Sequence, residues 1–217
     1  VLLGNLFTFI VAFTAVFSLV FVLRPMALNV GLVDRPCTRK QHKGHVPLVG
    51  GLSIYVAITL FSFVLTPFNE HYKLFMLSTS FMVLIGALDD YHDIDARLRL
   101  IAQFLIGSLM VFGADLYVDS LGNIFGLGEV SLGIWGPLFT VLAVVTCINA
   151  FNMTDGIDGL IGVLSLNTVV SLGVLAGFSS VYFNNGFTSM LAGAILAFLF
   201  FNFSSMVAER KIRRGRL

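Results

Sequence analysis

Seven long stretches of this chain carry no Asp, Glu, Lys or Arg, at about residues 2–23, 48–66, 74–88, 100–114, 134–151, 160–179 and 187–203. A helix needs about 20 apolar residues to cross the hydrocarbon core of a bilayer, and these runs reach or approach that length. Composition closes off a water-soluble fold. Of 217 residues, 57% are hydrophobic and 12% charged, and mean hydropathy is +0.94. An ordinary soluble domain is about 25% charged, and a fold of this size has no way of hiding so much apolar surface from water. Within lipid the backbone must satisfy its own hydrogen bonds, which leaves helices or a closed barrel. A barrel needs short segments of alternating polarity, which are missing from the sequence. The expectation is an all-α, polytopic membrane helix bundle of about seven transmembrane helices, forming one domain over 1–217.

The first apolar run reads as a transmembrane helix, since no cleavable signal pattern precedes or follows it. Gly173 and Gly177 form a small-xxx-small pair, and Ala192-Gly193-Ala194 is a run of small residues; both patterns suit close helix packing. Cys37 lies in a basic loop and Cys147 in an apolar run, so the two should sit at different depths and form no disulfide.

Seven spans put alternate connections on opposite sides of the bilayer. One side receives residues 24–47, 89–99, 152–159 and the tail from 204; the other receives the N-terminus, 67–73, 115–133 and 180–186. Of 13 Lys and Arg residues, Lys73 is the sole one on the second side. By the positive-inside rule the first side is cytoplasmic. The second side holds Asp115, Asp119 and Glu129 among glycines, a pattern for a short external hairpin with no evident chemistry.

The cytoplasmic side gathers three clusters. Asp89-Asp90-Tyr91-His92-Asp93 follows the third apolar run directly. Adjacent carboxylates repel unless a cation or protons neutralise them. Beside phosphate the natural cation is Mg²⁺, which takes one or two carboxylates plus substrate oxygens. A solvated loop that ends a helix is the plainer explanation of the pair. Asp95 with Arg97 and Arg99 reads as an ordinary loop ion pair. The second cluster, Asn149-Ala-Phe-Asn152-Met-Thr-Asp155-Gly-Ile-Asp158-Gly-Leu, repeats Asn and Asp every three residues. That spacing keeps successive side chains roughly on one helix face, drifting by about 60° per step. Gly156 and Gly159 would let the backbone turn and approach a ligand. One Asp is explained as a helix cap; two Asn and two Asp at this spacing are not. The third cluster, Arg39-Lys40-Gln41-His42-Lys43, is densely cationic and leads into Pro47-Leu-Val-Gly50-Gly51 at the start of a helix. It suits phosphate near helix-start amides, or a topogenic patch attracted to anionic lipid. No Cys pair or third His joins His42 and His45 to make a zinc site. The apolar runs themselves carry no ionisable Asp, Glu, Lys or Arg, which argues against an ion-coupled transporter. Chemistry belongs at the interface, where a metal and cations beside a lipid phosphate point to phosphoryl transfer.

These clusters, in order and spacing, resemble the polyprenyl-phosphate N-acetylhexosamine-1-phosphate transferases, the MraY/WecA-like family. Asp89-Asp90-x-x-Asp93 is similar to its aspartate-rich motif, and Asn149-x-x-Asn152-x-x-Asp155-Gly-Ile-Asp158-Gly-Leu to its second signature. Arg39-Lys40-x-His42 followed by Pro47-Leu-Val-Gly-Gly51 is closest to the WecA branch. The resemblance implies transfer of N-acetylglucosamine 1-phosphate from UDP-N-acetylglucosamine (UDP-GlcNAc) to undecaprenyl phosphate, releasing UMP, with Mg²⁺ or Mn²⁺ as cofactor. It implies Asp89 and Asp90 as catalytic and metal-binding residues at the lipid-phosphate end. Asn149, Asn152, Asp155 and Asp158 would bind the nucleotide sugar, and Arg39, His42 and Lys43 the phosphates. Its partners would be these two substrates and membrane lipid, with no nucleic acid, and a homodimer is compatible with it. The location implied is the bacterial inner membrane, with active-site loops in the cytoplasm and a role in lipid-linked glycan synthesis.

The resemblance departs at the end. The family continues with further helices, a Gly-Asp-Ala-Gly-Ser-type loop and a His-rich loop, whereas this sequence stops at Leu217 with Arg216 in the place of a metal-binding aspartate. On this reading residues 1–217 are C-terminally incomplete. The alternative function is an inactive membrane fragment that binds lipid phosphate or nucleotide sugar without transfer.

Overall fold

The computed structural model describes residues 2–34, 46–65, 70–92, 94–154, 159–178 and 185–214. Among these residues the chain forms seven helices: α1 (Leu2–Val30), α2 (Gly50–Leu65), α3 (Glu70–His92), α4 (Ala96–Ala114), α5 (Gly136–Thr154), α6 (Leu160–Phe178) and α7 (Asn185–Arg214). Each grows from one of the charge-free stretches. Leu3–Val30, Glu70–His92, Ala96–Ala114, Gly133–Thr154 and Gly186–Phe203 are long and apolar enough to cross a membrane, while Gly50–Val64 and Leu160–Ala176 are shorter apolar helices. The protein is an all-α, multi-pass membrane protein.

Helices α1, α3 and α7 run beyond the apolar limits, to Val30, His92 and Arg214. Hydropathy marks where lipid ends, whereas a helix ends where its backbone finds another partner. For α1 that partner is a left-handed turn: Gly31 at φ +84 donates to the Ala27 carbonyl, as does Leu32, both at 2.9 Å. Glycine enters this conformation without a Cβ clash. Two short strands follow, β1 (Val33–Asp34) and β2 (Val46–Pro47), paired antiparallel. The chain therefore leaves at Asp34 and returns at Val46 side by side.

The chain folds as two compact units, Val1–Leu65 with Thr154–Leu217, and Thr66–Met153. In the first, α1 packs along α7. Ala12, Val16, Val20 and Ala27 of α1 share a core with Met190, Ala194 and Ala197 of α7 and with Ala57 and Ile58 of α2. Val169 of α6 joins Ala192, Ile195 and Leu199 of α7 in a second cluster. In lipid, such contacts are held by close van der Waals packing, which favours small residues. The Ala192-Gly193-Ala194 run supplies them: Gly193 lies against the Phe9 carbonyl oxygen, where a Cβ has no room. Gly173 meets only Thr188, at ordinary contact distance.

In the second unit, α3 and α4 run antiparallel. His71 Nδ1, near the start of α3, donates to the Ala114 carbonyl at the end of α4 (2.7 Å). A carbonyl only accepts, so Nδ1 carries the proton. Between α4 and α5 lies the expected hairpin, closed by Leu121 N–H to the Val130 carbonyl (2.9 Å) and by a Ser120–Ser131 bridge. Thr140 Oγ1 accepts from Val118 N–H (2.8 Å), which ties the loop to α5. Val111 of α4 packs with Val141 and Val145 of α5.

Candidate functional site

The acid pair lies on the last turn of α3 rather than in a loop, and this changes what it can do. Successive residues on a helix are about 100° apart. Asp89 is mostly buried and turned to α4; Asp90 is exposed. Asp89 Oδ2 accepts from Arg99 Nη1 at 2.8 Å, and Asp89 Oδ1 accepts from the Ile94 backbone N–H at 3.1 Å. Arg99 is therefore the partner of Asp89, not of Asp95, which corrects the expectation of a loop pair. Asp95 precedes α4 and makes no side-chain cap to it. The correction has a simple cause. Because α3 continues to His92 and α4 begins at Ala96, the connection is short. Antiparallel packing then brings the first turn of α4 opposite the last turn of α3. Arg99 Nε is buried and has no hydrogen-bond partner among the described residues.

One face of α4 organises this unit. Arg99, Gln103, Gly107 and Val111 recur every four residues and so lie on one stripe. Arg99 holds Asp89. Gln103, 3% exposed, accepts through Oε1 from Asn149 Nδ2 of α5 at 2.6 Å. Gly107 lies against Val141 and Val144, and Val111 belongs to the apolar cluster below. Thus α4 ties the acid end of α3 and the amide end of α5 to the same end of the unit, through two side chains one turn apart.

Asn149 and Asn152 lie within α5, which continues to Thr154. Asn149 is half-buried, and its Nδ2 also donates to the Val145 carbonyl at 2.8 Å. Asn152 is exposed. Gly159, which the sequence marks for a backbone turn, stands at φ +78 before α6, and its carbonyl accepts from Val163 N–H (2.9 Å). Asp93, Asp155 and Asp158 lie outside the described residues, as do Arg39, His42 and Lys43; so does Arg216. Gln103 is the residue that sequence reasoning passed over, and Arg99 was given the wrong partner. The available signal was slight: Gln103 is the single amide in α4, four residues after an Arg.

Among the described residues no group of three or more His, Cys, Asp or Glu side chains is placed to hold a metal ion. What the described residues do offer is a neighbouring carboxylate pair, one member clamped and one exposed. Hard oxygen donors of this kind fit Mg²⁺, which needs only one or two carboxylates from a protein and completes its shell with water and phosphate oxygens.

The family model described as glycosyl transferase family 4 matches residues 72–210. An undecaprenyl-phosphate alpha-N-acetylglucosaminyl 1-phosphate transferase of Yersinia pestis is 44% identical over 161 residues, 73% of this chain and 43% of the relative. The protein of the same description from Escherichia coli (strain K12) is 38% identical over 209 residues, 94% of this chain and 55% of the relative. One from Haemophilus influenzae is 36% identical over 165 residues, covering 76% and 46%. The chain spans about half the length of the curated relatives it matches.

Proposed function

The chain belongs to glycosyl transferase family 4, and we propose on that premise that it serves the transfer of N-acetylglucosamine 1-phosphate from UDP-GlcNAc to undecaprenyl phosphate. A phosphate oxygen of the lipid attacks the sugar-linked phosphorus. The bond from that phosphorus to the UMP oxygen breaks, and UMP leaves with the electron pair. The products are undecaprenyl-diphospho-N-acetylglucosamine and UMP. Little covalent chemistry falls to the protein; in-line positioning and charge neutralisation carry the reaction.

The observation that carries this reading is the α4 stripe, on which Arg99 meets Asp89 and Gln103 meets Asn149. Two clusters that are far apart in sequence, one acidic and one of amides, are tied to one end of one unit. In this proposal Asp90 and Asp89 are the metal-binding and catalytic carboxylates, with Arg99 holding Asp89 in place. Bound Mg²⁺ or Mn²⁺ would supply charge neutralisation for the diphosphate. Asn149, Asn152, Asp155 and Asp158 take the nucleotide sugar. Arg39, His42 and Lys43 supply cations for the phosphates. The split of Lys and Arg favours placing these residues on the cytoplasmic side of the membrane, in this proposal the bacterial inner membrane.

The test is UMP release by the protein carrying this sequence, purified into nanodiscs with UDP-GlcNAc, undecaprenyl phosphate and Mg²⁺. Release that requires both the lipid and the metal supports the reading. UDP-GlcNAc binding without release gives the alternative of a non-transferring binding protein. Absence of both binding and release overturns the proposal.

A further inference from the structure

We propose that Gln103 is a positioning residue that fixes the Asn149 amide, so that the Asn149 carbonyl oxygen is presented as a hydrogen-bond acceptor to an N–H or O–H donor of the nucleotide sugar. This rests on the reading that the protein handles UDP-GlcNAc.

Asn149 Nδ2 lies 2.8 Å from the Val145 carbonyl and 2.6 Å from Gln103 Oε1. The Val145 carbonyl only accepts, so the Asn149 atom facing it must be the NH₂ group. Gln103 must then turn its oxygen, not its nitrogen, toward Asn149. Both Asn149 N–H bonds are used in this way. The remaining polar atom of the side chain, Oδ1, can only accept, and it has no bond to any described residue. Gln103 is 3% exposed, so flipping either amide would set two like groups against each other in a place water barely reaches. Burying an unmatched amide is costly. Without Gln103, one hydrogen bond alone would orient Asn149, and its amide would be free to rotate away from the ligand.

The chemistry then selects what Asn149 can bind. A fixed carbonyl oxygen accepts from N–H or O–H and not from a carbonyl or an ionised phosphate oxygen. UDP-GlcNAc offers such donors in the uracil imide, the sugar acetamide and the hydroxyls of its two sugar rings. Sites built around a buried, oriented polar group discriminate strongly against ligands that lack its partner. Asn149 lies near the end of α5 where the second cluster begins, and Gln103 reaches it from a separate helix. Gln103 therefore acts through Asn149 and touches no substrate.

Two substitutions test this, because they separate orientation from packing. Gln103→Glu keeps an oxygen that accepts from Asn149, whereas Gln103→Leu keeps apolar volume and loses the acceptor. For UMP release in nanodiscs, Gln103→Leu is expected to raise KM for UDP-GlcNAc about tenfold, with a smaller change in kcat. Gln103→Glu should keep most of the affinity. In an Asn149→Ala background, Gln103→Leu should add almost nothing. The reverse pattern, with Leu tolerated and Glu damaging, or additive effects of the two positions, overturns the proposal in favour of a packing role. If the unsubstituted protein binds UDP-GlcNAc but releases no UMP, the reading of transfer has failed, and the same substitutions are judged on the Kd for UDP-GlcNAc. If it does not bind UDP-GlcNAc at all, both fall.

Discussion

Arg99 Nη1 and Asp89 Oδ2 are 2.8 Å apart, and this ion pair joins the last turn of α3 to the first turn of α4. The Asp89 side chain is 19% exposed and that of Arg99 27%, so water screens the pair only partly. Asp89 is held on both oxygens, by the guanidinium and by the Ile94 N–H. It is thereby fixed as a carboxylate of set orientation, while Asp90 on the adjacent helix position faces outward.

Removing the guanidinium should release Asp89. For Arg99→Gln we expect a loss of about 1.5–3 kcal/mol in stability, the range for a hydrogen bond to a charged group. Arg99→Lys should lose less, because it keeps the charge but not the planar fork. Thermal unfolding in detergent reads both. Equal melting temperatures for Arg99→Gln and the unsubstituted protein would mean that the pair does not hold α3 to α4.

Close packing of α1 on α7 predicts a sharp difference among glycines. Gly193 sits against the Phe9 backbone, so Gly193→Ala must push α1 and α7 apart and should cost about 1–3 kcal/mol. Gly173, with only Thr188 nearby, and Gly51, with no atom within 4 Å, should accept Ala with little change. A thermal series of the three variants checks the order. A destabilised Gly173→Ala beside a tolerated Gly193→Ala would contradict the packing.

How much of this was legible in the sequence depended on the range of the signal. The apolar stretches located all seven helices, because lipid acts on each segment separately. Helix ends were harder to read. Leu88 is where hydropathy stops, yet α3 continues through Asp89 and Asp90, and a pair read as a loop is in fact split between two helix faces. Arg99 and Asp95 look like partners for the same reason: they are close in sequence, whereas Asp89 is close in space. The small residues at 192–194 were legible as a packing site, although the glycine pair at 173 and 177 looked equally good on pattern alone. The pairing of Gln103 with Asn149 was out of reach, since the two are 46 positions apart and nothing around Gln103 links it to the Asn149 cluster until α4 and α5 are set side by side.

The topology predicts that Tyr91, exposed at the end of α3, and Asn123, in the hairpin after α4, lie on opposite sides of the membrane. With Cys37 and Cys147 replaced by Ser, a Cys at 123 should react with an impermeant maleimide in intact cells, and a Cys at 91 only after the membrane is opened. Labelling of both in intact cells would contradict the crossing of α4.

The last prediction separates the two aspartates, which sequence alone treats as equivalent. On α3 their side chains diverge, and they should fail in different ways. Asp89→Asn weakens the bond to Arg99 and should lower both stability and transfer. Asp90→Asn leaves that clamp intact and should show the smaller loss of stability of the two. Its effect on transfer should nevertheless be the larger relative to its effect on folding, because Asp90 is the exposed carboxylate beside which a divalent cation and the phosphates would gather. Losing one such contact in the transition state is expected to cost at least about 100-fold in rate, or roughly 2.7 kcal/mol. The check is UMP release at saturating Mg²⁺ together with thermal unfolding of the same preparations. Near-normal turnover by Asp90→Asn would remove this carboxylate from the reaction. A loss of turnover matched by an equal loss of folded protein would make Asp90 a structural residue, and the division of labour between the pair would then have to be drawn the other way.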